Sequence, residues 1–219
     1  MTITIMFNDN IRHYYNSFGE ILQLDNYNDI INIDCSRNNL FSLPKLPNSL
    51  EILWCYNNYL SSLPKLPNSL IQLHCYNNKL SSLPELPNSL RQIYSSHNNL
   101  SCLPELPNSL IILFCPYNNL FNLPELPNSL IELYCYHNKL SSLPQIPNSS
   151  TDINYFNNPI YTHIEHYFNG DIKKYFEHQT NMKRNFINKI ENWFLDCKYN
   201  PKYLYCRKRL MKEYEELYG

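Results

Sequence analysis

Residues 43–142 are five near-copies of one twenty-residue segment: LPKLPNSLEILWCYNNYLSS, LPKLPNSLIQLHCYNNKLSS, LPELPNSLRQIYSSHNNLSC, LPELPNSLIILFCPYNNLFN and LPELPNSLIELYCYHNKLSS. A degenerate copy, DIINIDCSRNNLFS, precedes them and another, SSTDINYFNNPIY, follows. Seven units therefore lie between residues 30 and 160. A unit this short cannot enclose a core of its own, so successive units must stack and share one.

The chemistry of one unit dictates its path. In LEILWCY, inward apolar residues alternate with variable ones, which predicts a short strand. Each later unit lays its strand parallel to the one before, about 4.8 Å away. The return leg, LPxLPNS, carries two prolines that fix φ and lack N–H donors, which excludes a helix and predicts an extended, polyproline-like path. Asn38, Asn58, Asn78, Asn98, Asn118, Asn138 and Asn158 recur at one place in the turn. Their amides are expected to form a structural ladder that satisfies backbone groups stranded inside the solenoid.

These units fit the pattern L-x-x-L-x-L-x-x-N-x-L, as in Leu50, Leu53, Cys55, Asn58 and Leu60. The chain thus resembles leucine-rich-repeat proteins, and in particular the short-repeat bacterial effectors of the YopM and IpaH kind, whose units also read LPxLPxxLxxLxxxxNxL. The resemblance implies a curved solenoid with parallel strands on its concave face. IpaH relatives add a large ubiquitin-ligase domain with a catalytic cysteine; residues 161–219 are too few to form it. The odd composition and the tail YNPKYLYCRKRLMKEYEELY look like proteins of giant DNA viruses. If both resemblances carry over, the chain acts on a host protein in host cytoplasm.

A net charge of −1 supplies no field to draw the chain to nucleic acid or an anionic membrane, so neither is expected as a partner. The start, MTITIMFNDNIRHYY, lacks the basic stretch and long apolar run of a secretory leader, and no apolar run approaches a membrane span. A cytoplasmic monomer is the expectation. Cys35, Cys55, Cys75, Cys115 and Cys135 share one inward place, with Ser95 and Tyr155 substituting. Equivalent side chains on neighbouring strands lie about 4.8 Å apart, whereas the Cβ atoms of a disulfide sit about 3.8 Å apart. Buried free thiols are the reading that follows. Cysteines spaced by 20 residues do not converge on a metal, Cys102, Cys197 and Cys206 add no signature, and no cofactor is expected.

Function must then sit on the outward strand positions. The central column holds Asp34, Trp54, His74, Tyr94, Phe114, Tyr134 and Asn154; beside it run Ser36, Tyr56, Tyr76, Ser96, Pro116, Tyr136 and Phe156. Trp54, Tyr56, His74, Tyr76, Tyr94, Phe114, Tyr134 and Tyr136 are the candidate binding residues, because aromatic side chains give large contact area at small rotamer cost. The alternative is that these rings stack across units and only stabilise the scaffold. His97, Tyr117 and His137 sit one place nearer the turn and read as solvated residues. Neither G-x-x-x-x-G-K, G-x-G-x-x-G nor H-E-x-x-H occurs, and no catalytic residue is nominated. The reading is a non-enzymatic module that holds a protein or peptide, with a substrate-recruiting adaptor of an enzyme complex, such as a ubiquitin ligase, as the alternative.

A solenoid also needs caps. Residues 1–29 are expected to supply the first, with TITIMF and EILQL as short strands. Residues 161–219 change to helical spacing: Ile164, Phe168, Ile172, Tyr175 and Phe176 form one stripe, broken near Asn169-Gly170. Phe186, Ile190, Trp193, Phe194 and Cys197 form a second, and Asn200-Pro201 opens a third helix. Together they predict a helical cap or small bundle. Arg207, Lys208, Arg209 and Lys212, followed by glutamates, read as a solvated mixed face. His163 and His166 lie three apart on one helix, without further ligands to complete a metal site.

Overall fold

Each copy of the repeat lays down one three-residue strand in the computed structural model, which describes residues 2–9 and 11–199. Strands β1 (Ile3–Met6) and β2 (Arg12–Tyr15) come first, then the one-turn helix α1 (Phe18–Ile21) and a 3-10 turn at Tyr27–Asp29. Seven repeat strands follow: β3 (Asn32–Asp34), β4 (Ile52–Trp54), β5 (Gln72–His74), β6 (Gln92–Tyr94), β7 (Ile112–Phe114), β8 (Glu132–Tyr134) and β9 (Asp152–Asn154). Helices α2 (Pro159–Phe168) and α3 (Ile172–Tyr199) complete the described chain. The chain divides into two compact units, Met1–His163 and Ile164–Gly219.

Strands β3 to β9 are parallel, and every paired residue meets its counterpart 20 positions on, as in Leu53 with Leu73. Between strands the chain returns through LPxLPNS without helix or strand and closes on a turn in which the leucine N–H donates to the second proline's carbonyl (Leu70 to Pro67, 3.1 Å). The middle residue of each strand and the cysteine beyond it point inward: Leu53, Leu73, Leu113 and Leu133, with Cys55, Cys75, Cys115 and Cys135, are fully buried. Each buried leucine contributes about 1.5–3 kcal/mol. The thiols are free. Burial pushes Cys35, Cys75 and Cys135 up to about 12, and Cys55 and Cys115 well above the ordinary thiol value. Such thiols are inert at neutral pH.

The turn asparagines bind in one recurring pattern. Asn98 Nδ2 donates to the carbonyls of Cys75 (3.0 Å), Ser95 and Ser96, while its Oδ1 accepts the Leu80 N–H at 2.9 Å. Asn58, Asn78, Asn118, Asn138 and Asn158 repeat both halves of this arrangement. Each side chain therefore fastens its own turn and the unit before it. Asn38, with no unit before it, exchanges bonds with Thr2 in both directions, at 2.8 and 2.7 Å. A second ladder was not read from the sequence. Ser69, Ser89, Ser109 and Ser129 donate from Oγ to the carbonyls of Leu50, Leu70, Leu90 and Leu110, at 2.6–2.7 Å. The unvarying serine of PNSL was the available signal.

The start of the chain closes the stack with a hairpin. β1 runs antiparallel to both β2 and β3, so the sheet order is β2-β1-β3 through β9. TITIMF is a strand, but EILQL is not. Ser17 accepts the Glu20 N–H and Glu20 reaches back to the Asn16 N–H, a reciprocal cap that starts α1 and outweighs the alternating pattern. The second strand is RHYY instead.

In the second unit, α2 ends where Asn169 (φ 50°) and Gly170 (φ 74°) turn left-handed and the Gly170 N–H caps the Ile164 carbonyl at 3.2 Å. Asp171 then accepts from the N–H groups of Lys173 and Lys174, starting α3. Of the first expected stripe, Ile164 and Phe168 lie on α2, while Ile172, Tyr175 and Phe176 share one 28-residue helix with the second stripe across residues 177–185. The segment EHQTNMKRN is polar, but it contains no residue that breaks a helix. The third helix at Asn200-Pro201, Cys206 and the basic cluster of Arg207, Lys208, Arg209 and Lys212 lie outside the described residues.

Candidate binding face

Strand alternation decides which side chains face outward. With Leu53 and Cys55 buried, Ile52, Trp54 and Tyr56 must lie on the other face, and all three are partly exposed. Parallel register then stacks equivalent residues of successive units.

The central column forms an unbroken series of rings. Trp54 meets His74 edge-on at 5.8 Å, and His74 stacks on Tyr94 at 4.4 Å with planes 16° apart. Tyr94 meets Phe114 at 5.9 Å, and Phe114 meets Tyr134 at 5.3 Å, both tilted. The adjacent column begins with Tyr56 stacked on Tyr76 at 4.5 Å. Ser96 and Pro116, both buried, interrupt it before Tyr136, which turns an edge to Phe114 at 6.3 Å. The eight candidate residues thus fall into one continuous five-ring column with a split column beside it. Along the central column the contacts pass from edge-on through stacked to tilted, all of them geometries that aromatic pairs favour.

Polar groups in the column are unevenly served. Trp54 Nε1 and His74 Nε2 are covered and have no hydrogen-bond partner. Burial holds His74 below the ordinary imidazole range, so the ring is neutral at physiological pH. At the far end the Tyr134 hydroxyl donates to Asp152. That hydrogen bond, with lesser contributions from burial and from the charges of Asp152 and Glu132, raises the Tyr134 phenol to about 12. Burial, then the charge of Glu132, raises Tyr94 as well.

A third column lies at the turn. His97, Tyr117 and His137 stack at 4.3 and 4.4 Å with planes about 12° and 11° apart. Their backbones are left-handed, as are those of Arg37, Asn57, Asn77 and Asn157 at the same place in other units. Asn and His tolerate this conformation, whereas Tyr117 pays for it in strain that the flanking rings offset. The sequence reads the histidines here as solvated surface residues, and their stacking on Tyr117 was not anticipated. The asparagines of the neighbouring units were the signal for a left-handed position. Among the described residues, no group of three or more His, Cys, Asp or Glu is placed to hold a metal ion, and His163 and His166 are both exposed. Among the described residues, no helix is long and apolar enough to cross a membrane.

No family model matches this sequence, and no curated protein does. Solved structures do. YopM from Yersinia enterocolitica WA-314 is 38% identical over 58% of this chain, with a TM-score of 0.58. The Shigella effector LRR domain is 38% identical over 58% of this chain, with a TM-score of 0.56. The matched region spans 29% of the first chain and 59% of the second. Nothing in these likenesses supports a viral origin. With its seven in-register strands and asparagine-fastened turns, the repeat region is a leucine-rich-repeat solenoid of twenty-residue units, similar to the repeat domains of these bacterial effectors.

Proposed function

We propose that the repeat region is a protein-interaction module that holds a protein or peptide segment against the outward sheet face, with Trp54, Tyr94, Phe114 and Tyr134 as its main contacts. The observation that carries this reading is the five-ring column itself: large, partly exposed and continuous over five units. Contiguous apolar surface of this kind is characteristic of contact sites. The unpartnered Trp54 Nε1–H adds a donor that a ligand carbonyl can accept after a small ring rotation, and His74 Nε2 adds a donor or an acceptor according to its tautomer. Ring–ring contact also stabilises the solenoid, so each column residue serves both scaffold and surface. If the likeness to bacterial effectors extends to role, the partner is a host protein.

One observation favours an adaptor role as a second reading. Met182, Phe186, Ile190 and Trp193 recur at helical spacing on α3 and are 49–64% exposed, which offers a separate contact surface. The test is an affinity capture with the full chain beside a variant carrying Trp54→Ala, Tyr94→Ala and Tyr134→Ala, matched for fold by circular dichroism. Loss of a specific partner only in the variant supports binding on the sheet face. Partners retained by that variant but lost on Phe186→Ser with Trp193→Ser move recognition to α3 and overturn the first reading.

A further inference from the structure

The return legs carry a feature that neither the core nor the aromatic face requires. Each LPxLPNS leg contains one ionisable side chain, and it always occupies the third place. In chain order these residues are Lys45, Lys65, Glu85, Glu105 and Glu125, with Gln145 in the last leg. All are exposed. Lys65 and Glu85 line one cleft on the side away from the strands, and Glu105 and Glu125 line another, so successive residues of the series are neighbours in space. The charges are sorted: both lysines at one end, all glutamates at the other. Among the described residues, none of the five makes an ion pair; the pairs are His13–Asp9 and Lys174–Asp171.

Solubility alone asks for interspersed charges, and adjacent glutamates repel along the stack. A sorted series is self-complementary under a two-fold rotation. We infer that two copies of this chain associate back to back through their return legs, antiparallel, with the two-fold axis between the second and third legs. In that register Lys45 faces Glu105 of the second copy and Lys65 faces Glu85, and symmetry doubles both pairs. Moving the axis onto the third leg sets Glu85 against Glu85, and a parallel arrangement sets lysine against lysine. Of the antiparallel registers, the one centred between the second and third legs alone gives four lysine–glutamate pairs without setting two like-charged legs against each other. At the axis lies the cleft of about 90 Å³ between the Lys65 and Glu85 legs, lined also by Leu66, Leu86 and Pro87. This association leaves the strand face open and is independent of what that face binds. It replaces the single-copy state expected from composition.

Sedimentation equilibrium of the full chain tests this, because exposed pairs weaken as salt shortens the screening length from about 30 Å at 0.01 M to about 3 Å at 1 M. The wild type is expected to dimerise at low salt, with a dissociation constant that rises about tenfold or more at high salt. Lys45→Glu with Lys65→Glu should be monomeric, as should Glu85→Lys with Glu105→Lys. An equimolar mixture of the two should restore a dimer. Circular dichroism confirms that each variant is folded, and the neutral Lys45→Gln with Lys65→Gln should weaken the dimer if charge reversal perturbs folding. A wild type monomeric at low salt, a dimer that survives reversal, or a mixture that fails to associate overturns the proposal.

Discussion

At the scale of single residues, the most consequential is the turn asparagine. Asn98 places one side chain against three carbonyls and one N–H that water cannot reach. Asn98→Ala strands them and should destabilise the solenoid by about 1–3 kcal/mol; an unmoved denaturant midpoint would remove the ladder from this account. His74 is a different case, since its folded-state pKa is depressed by burial. As pH falls through the ordinary imidazole value of about 6.5, the unfolded chain takes up this proton first. Stability present at neutral pH is then lost on acidification. His74→Phe should flatten that part of the pH–stability curve, and an identical curve for the variant would refute the assignment. The asparagines and the inward cysteines were legible in the sequence because periodicity fixes which way a strand residue points. Ring tilts and the Tyr134–Asp152 bond were not, because side-chain torsions answer to neighbours rather than to position in the repeat.

At the scale of elements, local signals competed with pattern, and the outcomes differ. The proline-bearing legs left the chain no option but to return without helix. EILQL alternates as a strand does, yet the Ser17–Glu20 cap makes a turn of helix there. The polar run 177–185 looks like a boundary, yet α3 passes through it, since helix breaking takes glycine, proline or a cap rather than polarity. A true boundary lies at Asn169-Gly170. A Cβ at Gly170 would approach Glu165 Oε1 at 3.1 Å, but that carboxylate is the end of a flexible side chain and can move aside. The cost of Gly170→Ala is then the left-handed backbone, about 1 kcal/mol. Thermal unfolding followed by helical ellipticity should show the loss, and a gain in stability would mean the φ of 74° is not held.

At the scale of the molecule, register is modular. Every pair of repeat strands is offset by 20 residues, and the bonds between units recur with fixed spans, 18 residues to each asparagine Oδ1 and 19 from each serine Oγ. Deleting residues 83–102 as one whole unit should leave a folded protein that unfolds cooperatively, with a smaller denaturant slope because less surface is exposed. Deleting residues 83–92 should abolish folding, since it puts strand against return leg. Equal tolerance of the two deletions would contradict a single shared register. The asparagine bonds also have a direction: Leu60 is held by Asn78, Leu80 by Asn98, Leu100 by Asn118. No turn is complete until the next one has arrived. On a ribosome, each turn of the solenoid closes only after 18 further residues have been made. Under tension applied from the far end, turns should part in the reverse order, each step releasing about 70 Å of chain.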